Sequence, residues 1–352
     1  MPRKLVSIQK IEEILPIEGA DRIEKIRIKG WWVVSQKGVY KTGDLVLFYE
    51  IDSFLPIIPE YDFLLKGASP KKMLVEGVEK EGIRLRTVKL RKQISQGLIM
   101  PLSLLDDVDE IVYNVNIENV KKEIGADVSE LLGIIKYEPP ISANLSGIIK
   151  GSFPYFIPKT DEERIQNIPE ILNEPINEFW ISEKCDGVSV SFYKKDGIFG
   201  VCSRNLELSD CDCTQWNYAK EKNLINLLPE GFAIQGELVG EKIQGNPLKI
   251  KGHKVYFFNV YDINNRRYYN FNEFKYFIEN IMMSETVPVI KQNTNIPRAV
   301  EELIKLAEGK SILNINVERE GIVIRPMIES KFKDERFSFK AINNVYLLNN
   351  EQ

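Results

Sequence analysis

Three short runs near the start of the chain, Arg22–Lys29, Trp32–Lys37 and Leu45–Ile51, are rich in β-branched and aromatic residues and are broken by Gly30, Gly38 and Gly43. They predict strands. In residues 83–92, Ile83 and Leu85 alternate with Arg84 and Arg86, and Val88 and Leu90 then alternate with Lys89 and Arg91. The phase slips by one residue at Thr87, so a bulge there would keep one face apolar and load the other with four cations. Several short strands in roughly the first 105 residues, with little helical periodicity, predict a small closed barrel such as an OB-fold.

From about residue 152 onward the pattern changes. Strand-like runs at 178–182, 188–193, 197–202, 232–239, 254–263, 320–326 and 336–342 are interleaved with amphipathic helical stretches near 161–173, 214–228, 271–283 and 297–308. This predicts an α+β domain over 152–352, behind an all-β domain over 1–105. Residues 106–151 are read as a connecting segment, with the linker in the run from Pro139, Pro140 and Ser142 through Asn144, Ser146 and Gly147.

Charge sharpens this division. The 352 residues carry 47 basic and 51 acidic side chains, a net of -4, with 43% of positions apolar. The sum hides unlike parts, because residues 1–100 hold 18 basic against 13 acidic side chains, while 101–150 hold 4 against 9. No apolar run reaches the roughly 18 residues of a membrane span, and Met1-Pro2-Arg3-Lys4 opens no signal-like segment. The expectation is a monomer in the cytoplasm or nucleus. Cys185, Cys202, Cys211 and Cys213 include no CxxC pair, which argues against a disulfide framework and a zinc site. A single histidine, His253, excludes Ser-His-Asp hydrolysis and HExxH proteolysis. Chemistry has to rest on lysine, arginine and carboxylates.

The segment Trp180-Ile181-Ser182-Glu183-Lys184-Cys185-Asp186-Gly187-Val188 places a lysine between two strand-like runs, beside a carboxylate and a glycine. Lysine becomes a nucleophile when partial burial and neighbouring cations lower its pKa. Taken alone, the segment is also compatible with an ordinary turn carrying a surface lysine. Five further elements follow in order: Ser203-Arg204-Asn205; Gln235-Gly236-Glu237-Leu238-Val239-Gly240; Phe257-Phe258-Asn259-Val260-Tyr261-Asp262; Glu320-Gly321-Ile322-Val323-Ile324-Arg325; and Phe337-Ser338-Phe339-Lys340-Ala341. Together the six resemble motifs I, Ia, III, IIIa, IV and V of the covalent nucleotidyltransferase superfamily, which contains polynucleotide ligases and mRNA capping enzymes.

That resemblance implies an adenylation domain in which Lys184 attacks the α-phosphorus of ATP. Lys340 and Arg204 would then contact phosphates. Asp186, Glu237 and Glu320 would hold Mg²⁺ or Mn²⁺ through water, because Mg²⁺ gives up its hydration reluctantly. Phe258 would stack on adenine, with Glu183, Asp186, Glu237, Arg164 and Arg325 around the nucleotide. Many relatives carry a second motif V lysine where this chain has Ser338, which shifts phosphate neutralisation toward Lys340, Arg204 and Arg325.

At the front, Gly19-Ala20-Asp21-Arg22-Ile23, Lys29-Gly30-Trp31, Lys41-Thr42-Gly43-Asp44, Glu50-Ile51-Asp52-Ser53 and Ile94-Ser95-Gln96-Gly97-Leu98 resemble the OB domain of the Deinococcus-type, or fifth, RNA ligase family. Few residues follow Lys340, which is expected to leave no C-terminal OB domain. The resemblance implies an ATP-dependent RNA ligase that seals 3′-OH and 5′-phosphate ends in nicked duplexes with RNA on the 3′-OH side. Its RNA contacts would include Arg84, Arg86, Lys89 and Arg91. Two alternatives remain open at this point: a non-catalytic OB-type RNA-binding protein and a GTP-using capping-type guanylyltransferase. The absence of a tetracysteine module argues against an NAD⁺-dependent DNA ligase.

Overall fold

The structure is a computed structural model that describes residues 3–66, 69–75, 77–106, 123–138 and 147–350. The chain divides into two compact units, Met1–Ile141 with Leu348–Gln352, and Ser142–Leu347. No helix among the described residues is long and apolar enough to cross a membrane.

In the first unit the strand Leu45–Tyr49 lies between Val6–Lys10 and Leu98–Pro101, antiparallel to both. Its unbroken apolar run reflects burial on two sides. Leu47 and Tyr49 join one core, with Val6, Ile8 and Leu55, while Val46 and Phe48 join another, with Ile26, Trp31 and Val33. A second sheet pairs Ile23–Ile28 with Glu13–Pro16 and Trp31–Gln36, and a third sets Ser53–Pro56 beside Val78–Arg84.

Two expectations fail here. The acidic stretch after residue 105 does not wholly connect, because residues 123–138 belong to the first unit. Gly125 and Val128 donate backbone hydrogen bonds to Ile8 and Val6, and Val128, Leu131, Leu132 and Ile134 are buried. Residues 139–146, where the linker is expected, lie outside the described residues.

The single bulged strand over 83–92 is the second failure. The strand Val78–Arg84 ends at Arg84, and Val88–Leu90 forms a separate hairpin with Gln93–Ser95 around a turn at Arg91 and Lys92. Leu85 N still donates to Ser53 O, one residue beyond the Phe54↔Arg84 pair, and Leu85 O accepts from Asp52 N, so the first ladder closes at Leu85. The four cations therefore share no face. The Arg84 guanidinium sits 2.6 Å from Asp52 and over the Tyr137 ring, and Val88 and Leu90 are exposed where an apolar face was expected.

The second unit contains a seven-stranded and a five-stranded sheet. The larger one runs Ile149–Ser152, Leu206–Leu208, Ile198–Cys202, Val188–Lys195, Phe232–Gly240, His253–Asp262 and Arg267–Tyr268 in spatial order. The smaller runs Glu163–Arg164, Phe339–Ile342, Gly321–Pro326, Phe179–Lys184 and Val289–Thr294. Strand Phe179–Lys184 is buried on both faces, with Trp180 in the core that holds Phe192 and Phe257, and Phe179 and Ile181 in the core that holds Phe339 and Leu303. The predicted helix over 161–173 is instead a short strand followed by two 3-10 turns, and Pro169 opens the second of these. The helix expected over 214–228 is interrupted at Asn223, whose φ of 54° lies in the left-handed region.

The chain crosses from the smaller sheet to the larger through Cys185-Asp186-Gly187, directly after Lys184. Gly187 is required by proximity, since a Cβ there would lie 2.3 Å from the Leu238 carbonyl oxygen of the adjoining strand. Gly321, paired with Lys184, meets the Ala341 carbonyl oxygen at the same 2.3 Å. Because both obstacles are backbone, Gly187→Ala should cost about 1–3 kcal/mol of stability through overpacking. Thermal unfolding checks this: the melting temperature should fall by several degrees, and an unchanged midpoint would contradict the close packing.

Candidate active site

The crossover turn opens into a cavity of about 320 Å³ lined by residues from both sheets. Lys184, the last residue of its strand, is three-quarters buried, and its Nζ lies 2.6 Å from Glu320 Oε2. Glu320 immediately precedes the strand Gly321–Pro326, which is antiparallel to the lysine strand, so the register Lys184↔Gly321 sets this contact. Glu237 faces the same cavity from Phe232–Gly240, and Asp186 faces it from the turn. Lys340 enters from Phe339–Ile342, and Arg204 comes from the turn after Ile198–Cys202, where Ser203 N donates to Leu206 O at 2.8 Å.

The electrostatics follow from three carboxylates gathered around one lysine. Burial pulls the Lys184 ammonium down, but Glu320, Glu237 and Asp186 together outweigh it and hold it above the ordinary lysine range. Burial, followed by Glu320 and Asp186 and against the pull of Lys184, pushes Glu237 up to about 8. Asp186 is raised by burial and by Glu320, against the hydrogen bond it receives from the Tyr346 hydroxyl. Lys340 is lowered to about 8 by burial and by the neighbouring Lys184 and Arg164 cations. Counted as ionised, the three carboxylates exceed the two lysines by one negative charge, and Glu237 offsets this by holding its proton up to about pH 8.

That excess bears on a divalent cation. The donors are hard carboxylate oxygens, which suits Mg²⁺ or Mn²⁺. Among the described residues no three carboxylate, histidine or cysteine groups are close enough together to chelate a metal directly. The residues present therefore fit an ion held largely through water.

Phe258, half-buried, lines the cavity from His253–Asp262, while its neighbour Phe257 is fully buried in the core. Arg325 borders the cavity and is also tied into its wall. Its guanidinium is 2% exposed, and it donates from Nε to Ser338, from Nη1 to the Phe258 carbonyl oxygen and from Nη2 to Glu162. It anchors the Phe258 backbone and the 160–162 loop. Ser338 likewise serves this buried cluster. Burial raises Glu162, but Arg325 and Arg336 outweigh it and hold the carboxyl below the usual range. Arg336 continues the network, bonding Asn259, which in turn donates to Gln235, whose Nε2 reaches the Pro158 carbonyl oxygen at 2.8 Å.

Glu183 is buried, and its carboxylate accepts the Ile312 backbone N–H at 2.7 Å while also bordering the cavity. Arg164 is absent from the cavity lining. It sits opposite Lys340 in a short parallel pairing, close enough to depress that lysine. Arg204 is half-exposed and paired with Asp161 at 2.6 Å.

A family profile described as RNA ligase matches residues 177–342, and one described as an OB-fold domain matches residues 5–102. A Glu-to-Ala variant of Naegleria gruberi RNA ligase with AMP and Mn is 39% identical to this chain, covers 99% of each chain and superposes with a TM-score of 0.83. The chain belongs to the RNA ligase family. A Lys-to-Ala variant of the Naegleria gruberi enzyme with ATP and Mn matches at 39% identity, 99% of each chain and a TM-score of 0.83. The same enzyme with PPi matches at 40% identity, 99% of each chain and a TM-score of 0.81. No curated protein matches.

Sequence reasoning missed two features of this ligase's site. Tyr346, on the helix Asn344–Asn350, donates to the Asp186 carboxylate, and the loop bearing Thr160, Asp161 and Glu162 forms one wall. The Asn343-Asn344-Val345-Tyr346 pattern marks a helix start, with Asn343 Oδ1 accepting from Val345 N, but carries no signal of the contact with Asp186.

Glu237 supplies a test of the electrostatics. A carboxyl raised in the folded state binds its proton more tightly there than when unfolded, so its contribution to stability falls as pH rises from about 4.5 to about 8. In the ligand-free ligase, Glu237→Gln should melt close to wild type near pH 5 and above it near pH 8. A difference that stays flat over that range would contradict the raised carboxyl.

Proposed function

We propose that the protein is an ATP-dependent RNA ligase that works through a lysyl-AMP intermediate on Lys184. The observation that carries this is Lys184 at the crossover turn, with Lys340 and Arg204 lining the same cavity. The Naegleria gruberi structures with ATP, AMP and PPi support it, because ATP and PPi are the substrate and leaving group of such a step and AMP is the group it transfers. The Nζ proton leaves toward Glu320, the carboxylate 2.6 Å away. The freed amine then forms a bond to the α-phosphorus as the bond to pyrophosphate breaks. Lys340 and Arg204 stabilise the charge that develops on the phosphates. Phe258 stacks on the adenine, held in place by the hydrogen bond from Arg325 to its carbonyl oxygen.

Asp186, Glu237 and Glu320 would hold a hydrated Mg²⁺ or Mn²⁺, which would neutralise their excess charge and lower the cost of an unprotonated lysine. AMP then passes to the 5′-phosphate of an RNA end, giving a 5′-5′ pyrophosphate. Attack by the 3′-OH releases AMP and seals the strand. The substrate we infer is a nicked duplex with RNA on the 3′-OH side.

In this reading the first unit grips the polynucleotide by backbone charge and shape. Lys89 and Arg91, exposed on the Val88–Ser95 hairpin, are better placed for this than Arg84, which is paired with Asp52. Alanine at Lys89 and Arg91 should weaken nick binding and flatten its salt dependence, and alanine at Arg84 should do so less. Salt titration of binding checks the order, and equal effects would contradict it.

Incubation with labelled ATP and Mg²⁺ tests the central reading. A covalent protein-AMP adduct that disappears in Lys184→Ala is expected. No label from ATP with label from GTP would indicate a guanylyltransferase instead, and no label from either would indicate a binding protein.

A further inference from the structure

Between the strands Phe232–Gly240 and His253–Asp262 the chain makes an excursion over residues 241–251 that closes tightly on itself. Its ends are pinned, since Glu241 N donates to Gly252 O at 3.0 Å, and a Cβ on Gly240 would lie 2.0 Å from that same oxygen. The interior is built as well. Leu248 is 3% exposed and packs into the core of the second unit, Asn246 bonds both ways with Ile250, and Asn314 Nδ2 reaches the Leu248 carbonyl oxygen at 3.1 Å. This is an Ω-type loop, compact and packed by its own side chains.

Two observations indicate that the loop does more than connect strands. Lys242, Gln244, Asn246 and Lys249 all have φ between 46° and 64° in the left-handed region. Such a conformation is uncommon for residues other than glycine and asparagine, and it collects at functional sites where the surrounding structure enforces it. Gln244 also forms part of the cavity wall that Lys184 and Glu237 share, so the loop stands at the mouth of the active site.

The charge on this loop is predominantly positive. Lys242, Lys249 and Lys251 are exposed, and Glu241 is the one acidic residue between Gly240 and Gly252. None of the three ammonium groups forms an ion pair among the described residues, whereas Lys220, Lys254 and Lys310, also in the second unit, each hold a carboxylate. An ordinary solvated loop needs neither an enforced backbone nor a buried anchor. A surface that holds a polyanion against the cavity mouth benefits from both, because fixed cations lose less freedom on binding.

The geometry points to the 241–251 loop as a binding surface for the RNA backbone, contacting phosphates beside the end that receives AMP. This rests on the reading of the protein as an RNA ligase. It assigns to the catalytic unit its own polynucleotide contacts, separate from those of the first unit. The contacts are to phosphates, so they carry no base sequence preference.

The test is equilibrium binding of a fluorescent nicked RNA duplex to the full-length protein, without ATP, over a series of salt concentrations. Because no chemistry is involved, its outcome is independent of the labelling experiment that tests the ligase reading. Each phosphate contact contributes roughly 0.9 to the slope of log affinity against log salt. The triple variant Lys242→Ala, Lys249→Ala, Lys251→Ala should bind about tenfold or more weakly, with a slope shallower by roughly two to three. The corresponding triple arginine variant should bind like wild type. Unchanged affinity and slope in the alanine variant would overturn the proposal. An arginine variant as weak as the alanine one would overturn it too, by showing that charge is not what the loop supplies.

Discussion

A largely buried lysine held among three carboxylates is the interaction on which the catalytic unit depends. Lys184, Asp186, Glu237 and Glu320 come from two different sheets and meet only because the chain crosses between those sheets immediately after the lysine. Glycine at 187 and 321 lets the backbones approach closely enough for this. Burying like charges together is costly, and the raised Glu237 and Asp186 and the lowered Lys340 express that cost. A site with too much negative charge at one point and depressed cations at another is matched to a ligand that brings both a metal ion and phosphates.

Around this centre the supporting residues are held nearly as firmly as the reacting ones. Arg325 makes hydrogen bonds to Ser338, Phe258 and Glu162, so a side chain that borders the cavity also fixes the Phe258 backbone and one wall. The Ser338 hydroxyl joins a buried network that already holds two arginines. A lysine in that spot would have added a third cation.

Much of this was legible from the sequence because it was periodic or strictly spaced. The strand Phe179–Lys184 with its turn, the strand carrying Glu237 and the one opening at Gly321 fall close to their expected positions. What could not be read depends on tertiary partners. The basic run at 83–92 alternates on either side of a slip at Thr87, yet the ladder with Ser53–Pro56 ends at Leu85 and Val88–Leu90 pairs instead with Gln93–Ser95. The 161–173 stretch has helical spacing but is claimed by pairing with Phe339 and Lys340. Acidic composition suggested a connector after residue 105 and concealed Val128, Leu131, Leu132 and Ile134, which complete a core. Tyr346 lay beyond the last recognised motif, where nothing local in the chain marks a partner for Asp186.

The two units divide the work in this account. One carries an OB-fold, and the other carries the cavity around Lys184 with a basic loop at its mouth. Everything in it turns on a covalent bond between Lys184 and AMP. The most direct measurement is tandem mass spectrometry of the protein after brief exposure to ATP and Mn²⁺, locating the adduct on the peptide map. A single AMP attached to Lys184 is expected. An adduct on Lys340 or any other residue would contradict it.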